Sequence, residues 1–267
     1  MSSVLLLHGL IYALIGVFAG LMAGILGIGG GLVVVPGLLF VFQQTQIIPL
    51  SIAMHVAAGT SLAVMIITSQ ASLRAHYKLG DILWSVYNRL WPGIIMGTTA
   101  GAIAAQWVPT YWLQLIFAIF LLGVALKMFR DAKLIHHEKS PKNWINHLVS
   151  FFIGLKSGLL GVGGGLLIIP YLTYCGVEVR KIAAVSNLCT LTVALIGSIV
   201  FMLTGYHETA TIPYTTGYVY WPAMLLVATF SSISAPIGAK LNYLVPVQHL
   251  KYGFIIILVL TALKMLF

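Results

Sequence analysis

The chain has 267 residues, 60% of them hydrophobic and 7% charged, with a mean hydropathy of +1.03. Soluble domains carry about a quarter charged residues, so a water-soluble globule is excluded. The net charge of +9 comes from 14 Lys+Arg against 5 Asp+Glu. The basic residues form no continuous patch and sit mostly in short loops between apolar stretches, which excludes a nucleic-acid surface and suits cytoplasmic loops near acidic lipid headgroups.

The first apolar segment runs from about Leu5 to Leu26. It lacks a basic n-region and a clear cleavage site and exceeds the core of a signal peptide, so it is expected to be a retained helix. No Lys, Arg, Asp or Glu occurs between Leu5 and Phe42. A glycine turn follows, then a short segment from Gly31 to Phe42 interrupted by Pro36. At about 1.5 Å per residue this segment is too short for a comfortable crossing, and it is expected to form a re-entrant or half helix paired with the segment before it. Three longer segments follow, about Ser51 to Leu73, Leu83 to Ala105 and Tyr111 to Phe129. The stretch Asp131 to Asn143 is the most polar of the chain. Beyond it the same parts recur: Trp144 to Leu160, a short Gly165 to Cys175 interrupted by Pro170, then Ile182 to Thr204, Gly217 to Ala239 and Pro246 to Phe267. Apolar runs of this length are expected to span a bilayer as helices, because backbone groups in lipid must be satisfied within the segment.

The recurrence is a duplication. Phe18 to Pro36 reads FAGLMAGILGIGGGLVVVP and Phe152 to Pro170 reads FIGLKSGLLGVGGGLLIIP, with eleven of nineteen positions identical. Further matches join Ala57–Leu62 with Ala183–Leu188, Trp84 with Trp221, Gly101 with Gly238, Val108-Pro109 with Val245-Pro246, and Leu126–Met128 with Leu263–Met265. The expected organisation is a first transmembrane repeat over 1–130, a cytoplasmic linker over 131–143 and a second repeat over 144–267. Arg74, Lys78, Arg130, Lys133, Lys139, Lys142, Arg180, Lys181 and Lys240 fall cytoplasmic if each half contains a returning glycine hairpin and three crossings. An odd number of crossings turns the second half upside down and leaves both termini outside. Lys264 runs against this bias and reads as a snorkelling helix-end lysine. The fold expected is therefore an all-α polytopic membrane protein of two inverted repeats, an arrangement typical of secondary transporters whose interrupted helices build the substrate site.

Two kinds of glycine are distinguished. Gly16, Gly20 and Gly24 have the small-xxx-small spacing that lets helices approach closely. Gly27, Gly29, Gly30 and Gly31, with Gly161, Gly163, Gly164 and Gly165, would weaken a helix interior at about 1 kcal/mol each. They suit tight turns, each aiming bare N–H groups and the positive end of a short helix at an anion; tight packing alone is the other reading. Lys156, just before the second run, reads either as an intramembrane cation for the anion or as a snorkelling lysine. The matched pairs Thr60-Ser61 and Ser186-Asn187 are candidates to hydrogen-bond an oxyanion, or else bonds between helices. His55 and Gln70 are weaker candidates, a lone histidine being more often a local hydrogen-bond partner. Cys175 and Cys189 form no CxxC pair, so neither disulfide nor metal is expected. The tryptophans lie near segment ends, as an interfacial belt. No nucleophile–base set or metal spacing occurs, so no enzyme activity and no cofactor are expected.

On the two GxGGGxxxxP motifs, Gly27 to Pro36 and Gly161 to Pro170, and the small polar segments after them, the chain resembles the TauE/SafE sulfite exporter family of bacterial permeases over essentially its whole length. The resemblance implies a protein of the bacterial inner membrane and a small sulfur-containing anion of the sulfite, sulfonate or thiosulfate class as cargo. Bilayer lipid is the other partner, and a homodimer is an open arrangement. No acidic residue falls clearly inside an apolar core, which favours export down the membrane potential over coupled uptake. The alternatives are an uptake permease coupled to protons or sodium and a membrane assembly factor that transports nothing.

Overall fold

A computed structural model describes residues 2–26, 29–77, 83–130, 143–177, 179–244 and 247–266. Among these residues are ten helices, five in each half of the chain. The first half holds α1 (Ser2–Leu26), α2 (Gly31–Thr45), α3 (Ala53–Tyr77), α4 (Trp84–Ala105) and α5 (Thr110–Arg130). The second holds α6 (Asn143–Leu160), α7 (Gly165–Tyr174), α8 (Val179–Thr204), α9 (Trp221–Leu244) and α10 (Val247–Leu266). The all-helical expectation has one small exception. Strands β1 (Thr215–Thr216) and β2 (Val219–Tyr220) pair antiparallel in the loop before α9, with Thr215 opposite Tyr220. The polar seam 131–142, Lys78, Asp81, Glu178 and the Val245-Pro246 match lie outside the described residues.

Within α3, α5, α8 and α9 lie four stretches, Ala53–Arg74, Thr110–Lys127, Lys181–Thr204 and Trp221–Leu241, that are long and apolar enough to cross a bilayer. The chain is a multi-pass membrane protein. The short helices behave differently. With 15 residues in α2 and 10 in α7, at about 1.5 Å per residue neither covers a hydrocarbon core of about 30 Å.

The helix pairings follow the duplication. The two most extensive are α1 with α9 and α4 with α6, and exchanging the halves converts one into the other. The pairs α3–α8 and α5–α10 each map onto themselves, and α3–α9 exchanges with α4–α8. The physical cause is a stripe of small residues in each copy. A Cβ on Gly20 would stand 2.1 Å from Ser234 Oγ, and one on Gly24 2.1 Å from Ala235 O. In the other copy, a Cβ on Gly97 would stand 2.0 Å from Phe151 O and one on Gly154 2.5 Å from Ile94 O. Backbones this close leave no room for a side chain, so Gly16, Gly20 and Gly24 act in packing, as their spacing predicts.

These pairings place α3 and α8 in the middle: 72% and 67% of their spanning stretches are buried, against 39% for α5 and 50% for α9. The two central helices carry buried small polar residues: Ser61, Thr68, Ser69 and Ser72 on α3, and Ser186, Asn187, Thr190 and Ser198 on α8. Many large apolar side chains are exposed, including Leu14, Ile119, Leu203, Ile233 and Leu260. Buried small polar groups on the central helices and apolar side chains facing outward match a lipid solvent. Trp84, Trp107, Trp112, Trp144 and Trp221 are exposed at or beside helix ends, the position of an interfacial belt.

Candidate substrate site

Each half breaks its helices at the glycine run, but the two breaks are not conformational copies. In the first, Gly29 (φ 76°) and Gly30 (φ 78°) both take the left-handed region before α2. The Gly30 carbonyl accepts from Val33 N–H at 3.0 Å and Val34 N–H at 3.1 Å. The amides of Gly31 and Leu32, ahead of these, have no acceptor within their own helix. Gly27 lies outside the described residues. In the second break, Gly161 (φ 69°) terminates α6: the Val162 N–H reaches back to the Ser157 carbonyl at 3.1 Å, the six-to-one bond of a Schellman stop. Gly164 caps α7 in ordinary right-handed geometry (φ −62°). The breaks also have different neighbours: Gly161 lies against the α3 backbone at Ala58, and Gly29 lies against Thr190 of α8.

The two breaks meet. A Cβ on Gly31 would stand 3.2 Å from Val162 Cα and 3.0 Å from Met65 Sδ, and one on Gly29 would stand 2.6 Å from Thr190 Cγ2. Gly29, Gly30, Gly31, Gly161, Gly163, Gly164 and Gly165 are all buried. The wall beside the junction is therefore built by Met65 of α3 and Thr190 of α8.

That wall belongs to a polar seam with unspent hydrogen-bonding capacity. Asn187 Nδ2 donates to Ser72 Oγ at 3.0 Å and ties α8 to α3. Thr190 is one turn from Asn187 and Ser69 one turn from Ser72, each on the same helix face as its neighbour. Among the described residues, Ser61 Oγ, Ser69 Oγ, Thr98 Oγ1, Asn187 Oδ1 and Thr190 Oγ1 have no partner. All five residues are 0% exposed. A buried polar group left unpaired costs about 1–3 kcal/mol, and five of them lie on the neighbouring helices α3, α4 and α8. The hydroxyls and the first-turn amides are donors of the kind an anion accepts from, whereas the unpaired atom of Asn187 is an acceptor oxygen.

The expected site residues divide accordingly. Ser61 and Asn187 belong to the seam. Thr60 does not, because its Oγ1 accepts the Tyr220 N–H at 3.0 Å and holds the β-hairpin onto α3. Ser186 is buried and engaged. His55 is held locally, with Nε2 3.0 Å from the Ala105 carbonyl and its ring 5.1 Å from that of Tyr218. Lys156 is exposed, whereas Ile153, Gly154, Ser157 and Gly158 of the same helix are buried, and this favours the snorkelling reading. Gln70 is exposed as well. Sequence reasoning missed Met65, Ser69, Thr98 and Thr190. The available signal was helical spacing: Ser61, Met65, Ser69 and Ser72 recur every three or four residues, as do Asn187 and Thr190.

Comparison with known proteins covers the same span. The family model described as "Sulfite exporter TauE/SafE" matches residues 12–265. A "Probable membrane transporter protein" of Haemophilus influenzae is 31% identical over 257 residues, covering 96% of this chain and 97% of its own. One from Methanocaldococcus jannaschii is 30% identical over 261 residues, with 95% and 93% covered. One from Bacillus subtilis is 24% identical over 277 residues, with 96% and 97% covered. No solved structure matches the chain.

Proposed function

The chain belongs to the sulfite exporter TauE/SafE family and is a membrane transporter of that type; on that premise we propose that it exports a small sulfur oxyanion, sulfite or an organosulfonate, through the α3–α8 seam. The observation that supports this reading is the set of unpaired buried atoms of Ser61, Ser69, Asn187 and Thr190 on α3 and α8, of which Thr190 lies against Gly29 at the meeting point of the two glycine breaks. An oxyanion there accepts from the hydroxyls and from the amides of Gly31 and Leu32. Rotating the Asn187 carboxamide lets Ser72 donate to its oxygen and turns its NH₂ toward the anion. Residues 1–130 and 144–267 act as inverted copies about the linker 131–143, both termini lie outside, and the membrane is the bacterial inner membrane. The self-consistent helix pairings support two copies, and the basic loops support the inversion.

Direction follows from charge. An interior-negative potential drives an anion outward with about 2.3 kcal/mol per charge per 100 mV, so export needs no coupling ion. Glu208, the acidic residue among those described, lies in the loop before α9 and accepts from Tyr218 Oη at 2.7 Å. In proteoliposomes, sulfite efflux should rise with an imposed interior-negative potential and fall in Thr190→Val. Absence of flux for every sulfur oxyanion tried would overturn the reading. One observation favours a second reading: Asn187 Oδ1 is an unpaired acceptor beside hydroxyl oxygens, a ligand type for sodium. Flux that requires a sodium gradient would select sodium-coupled uptake over export.

A further inference from the structure

We propose that the cleft bounded by α1, α2, α5 and α10 binds one anionic phospholipid, with its phosphate at Lys264 and one acyl chain along α2. Two adjoining cavities carry the inference. One, of about 290 Å³, is lined on its polar side by Lys264, Tyr111, Gln43 and Gln114. The other, of about 350 Å³, is lined by apolar side chains that include Leu14, Phe18, Leu32, Val33 and Leu258. The two share Pro36, Phe40, Thr261 and Lys264. A polar chamber and an apolar trough meeting at a lysine describe the outline of an amphiphile, whereas a small inorganic anion would leave the trough unused.

Position and charge narrow the class. Gln43 lies near the end of α2, Tyr111 and Gln114 near the start of α5, and Lys264 near the end of α10, so the polar chamber sits at one end of three helices. The exposed Trp107 and Trp112 lie at this same end, at the level where aromatic residues meet headgroups. The trough runs inward along α2 from Gln43 to Leu32, about 16 Å at about 1.5 Å per residue, close to one leaflet of a hydrocarbon core of about 30 Å. It opens to the bilayer, because Leu14 is 60% and Phe40 37% exposed. Lys264 Nζ stands 3.3 Å from the centre of the Phe40 ring, which holds the ammonium at the junction. Among the described residues neither lining contains an acidic side chain, so a bound ligand meets a positive charge at Lys264. The same contact accounts for a lysine at the end of the chain where the other basic loops do not lie.

The test is native mass spectrometry of the full chain, delipidated in mild detergent and titrated separately with phosphatidylglycerol, with phosphatidylethanolamine of the same acyl chains, and with inorganic phosphate. The expected result is one phosphatidylglycerol per chain, retained about fivefold better than phosphatidylethanolamine. Lys264→Gln should erase that preference, and Thr261→Trp, which fills the junction, should reduce retention of both lipids. Equal retention of both lipids by the native chain, or an unchanged preference in Lys264→Gln, would overturn the proposal. So would displacement of lipid by inorganic phosphate alone, which would mark a free-anion site. Lys264 lies outside the α3–α8 seam, so stabilisation by sulfite should survive Lys264→Gln and keeps this test separate from that of the transport reading.

Discussion

Gly31, the first residue of α2, packs against Val162 in the opposite glycine break: a Cβ built on Gly31 would stand 3.2 Å from the Val162 Cα. Two chain breaks far apart in sequence therefore form one junction inside the protein. That junction is enclosed by α3 and α8, whose side chains at this level include Met65 and Thr190. This contact supports the proposal that the junction is the substrate site.

The two breaks should respond differently to the smallest side chain. Gly30 has φ 78° and a Cβ there would stand 3.0 Å from the Ala19 carbonyl oxygen. Gly30→Ala should cost about 1–2 kcal/mol for the left-handed conformation alone. Gly164 has φ −62°, and its Cβ would stand 3.1 Å from Ile168 Cδ1 and 3.4 Å from Ile153 Cγ2. Gly164→Ala should be neutral to mildly stabilising, as for a glycine whose conformation alanine shares. Thermal unfolding followed by tryptophan fluorescence separates the two, and equal losses would contradict the asymmetry. The larger Gly30→Val and Gly164→Val should both abolish transport while leaving membrane insertion largely intact.

Adjacent residues on α3 should have opposite signatures. Thr60 Oγ1 accepts the Tyr220 N–H, so Thr60→Val strands a buried donor and should cost about 1–3 kcal/mol. Ser61 Oγ and Thr190 Oγ1 have no partner to lose among the described residues. Ser61→Ala and Thr190→Val should leave the empty protein as stable as before, or slightly more so, while weakening its stabilisation by sulfite. If both variants were destabilised and kept full sulfite response, their hydroxyls would be structural.

Close helix contact on α4 can be set against a free glycine on α5. A Cβ on Gly97 would stand 2.0 Å from the Phe151 carbonyl oxygen, whereas nothing lies within 4 Å of one on Gly123. Gly97→Ala should cost roughly 3 kcal/mol through forced separation of α4 from α6. Gly123→Ala should gain up to about 1 kcal/mol from helix propensity. Unfolding in a denaturing detergent series measures both.

The loop before α9 should be released by alkali. Tyr218 is buried, donates to Glu208, and lies with its ring 6.0 Å from that of Phe201. Burial first, and the bond and charge of Glu208 second, push its phenol above the ordinary value of 10.0. Below about pH 10 both docked and released forms hold the proton, so docking is at full strength. As pH rises further the released form ionises first and docking weakens. Tyr220 is shifted in the same direction by burial, so Tyr218→Phe should make the alkaline step shallower without abolishing it. Protease cleavage within residues 205–217 as a function of pH reports the step; an identical profile in Tyr218→Phe would refute the assignment.

Much of this protein is legible one segment at a time. Hydropathy and charge along the chain determined where helices run, because any residue in lipid faces the same solvent whatever packs beside it. The glycine runs determined where α1 and α6 stop, since Gly161 supplies a left-handed residue that few others tolerate. The duplicated motif determined that the same helix order would occur twice. Tertiary structure decided which polar side chain does what. Thr60 and Ser61 are neighbours in sequence but about 100° apart around a helix, so one holds the hairpin and the other enters the seam. It decided that Lys156 is exposed, that Thr190 meets Gly29, and that Gly30 and its counterpart Gly164 take different conformations. The reason is that a helix face acquires its role from the surface opposite it, and that surface is contributed by residues a hundred or more positions away, where no local pattern can point.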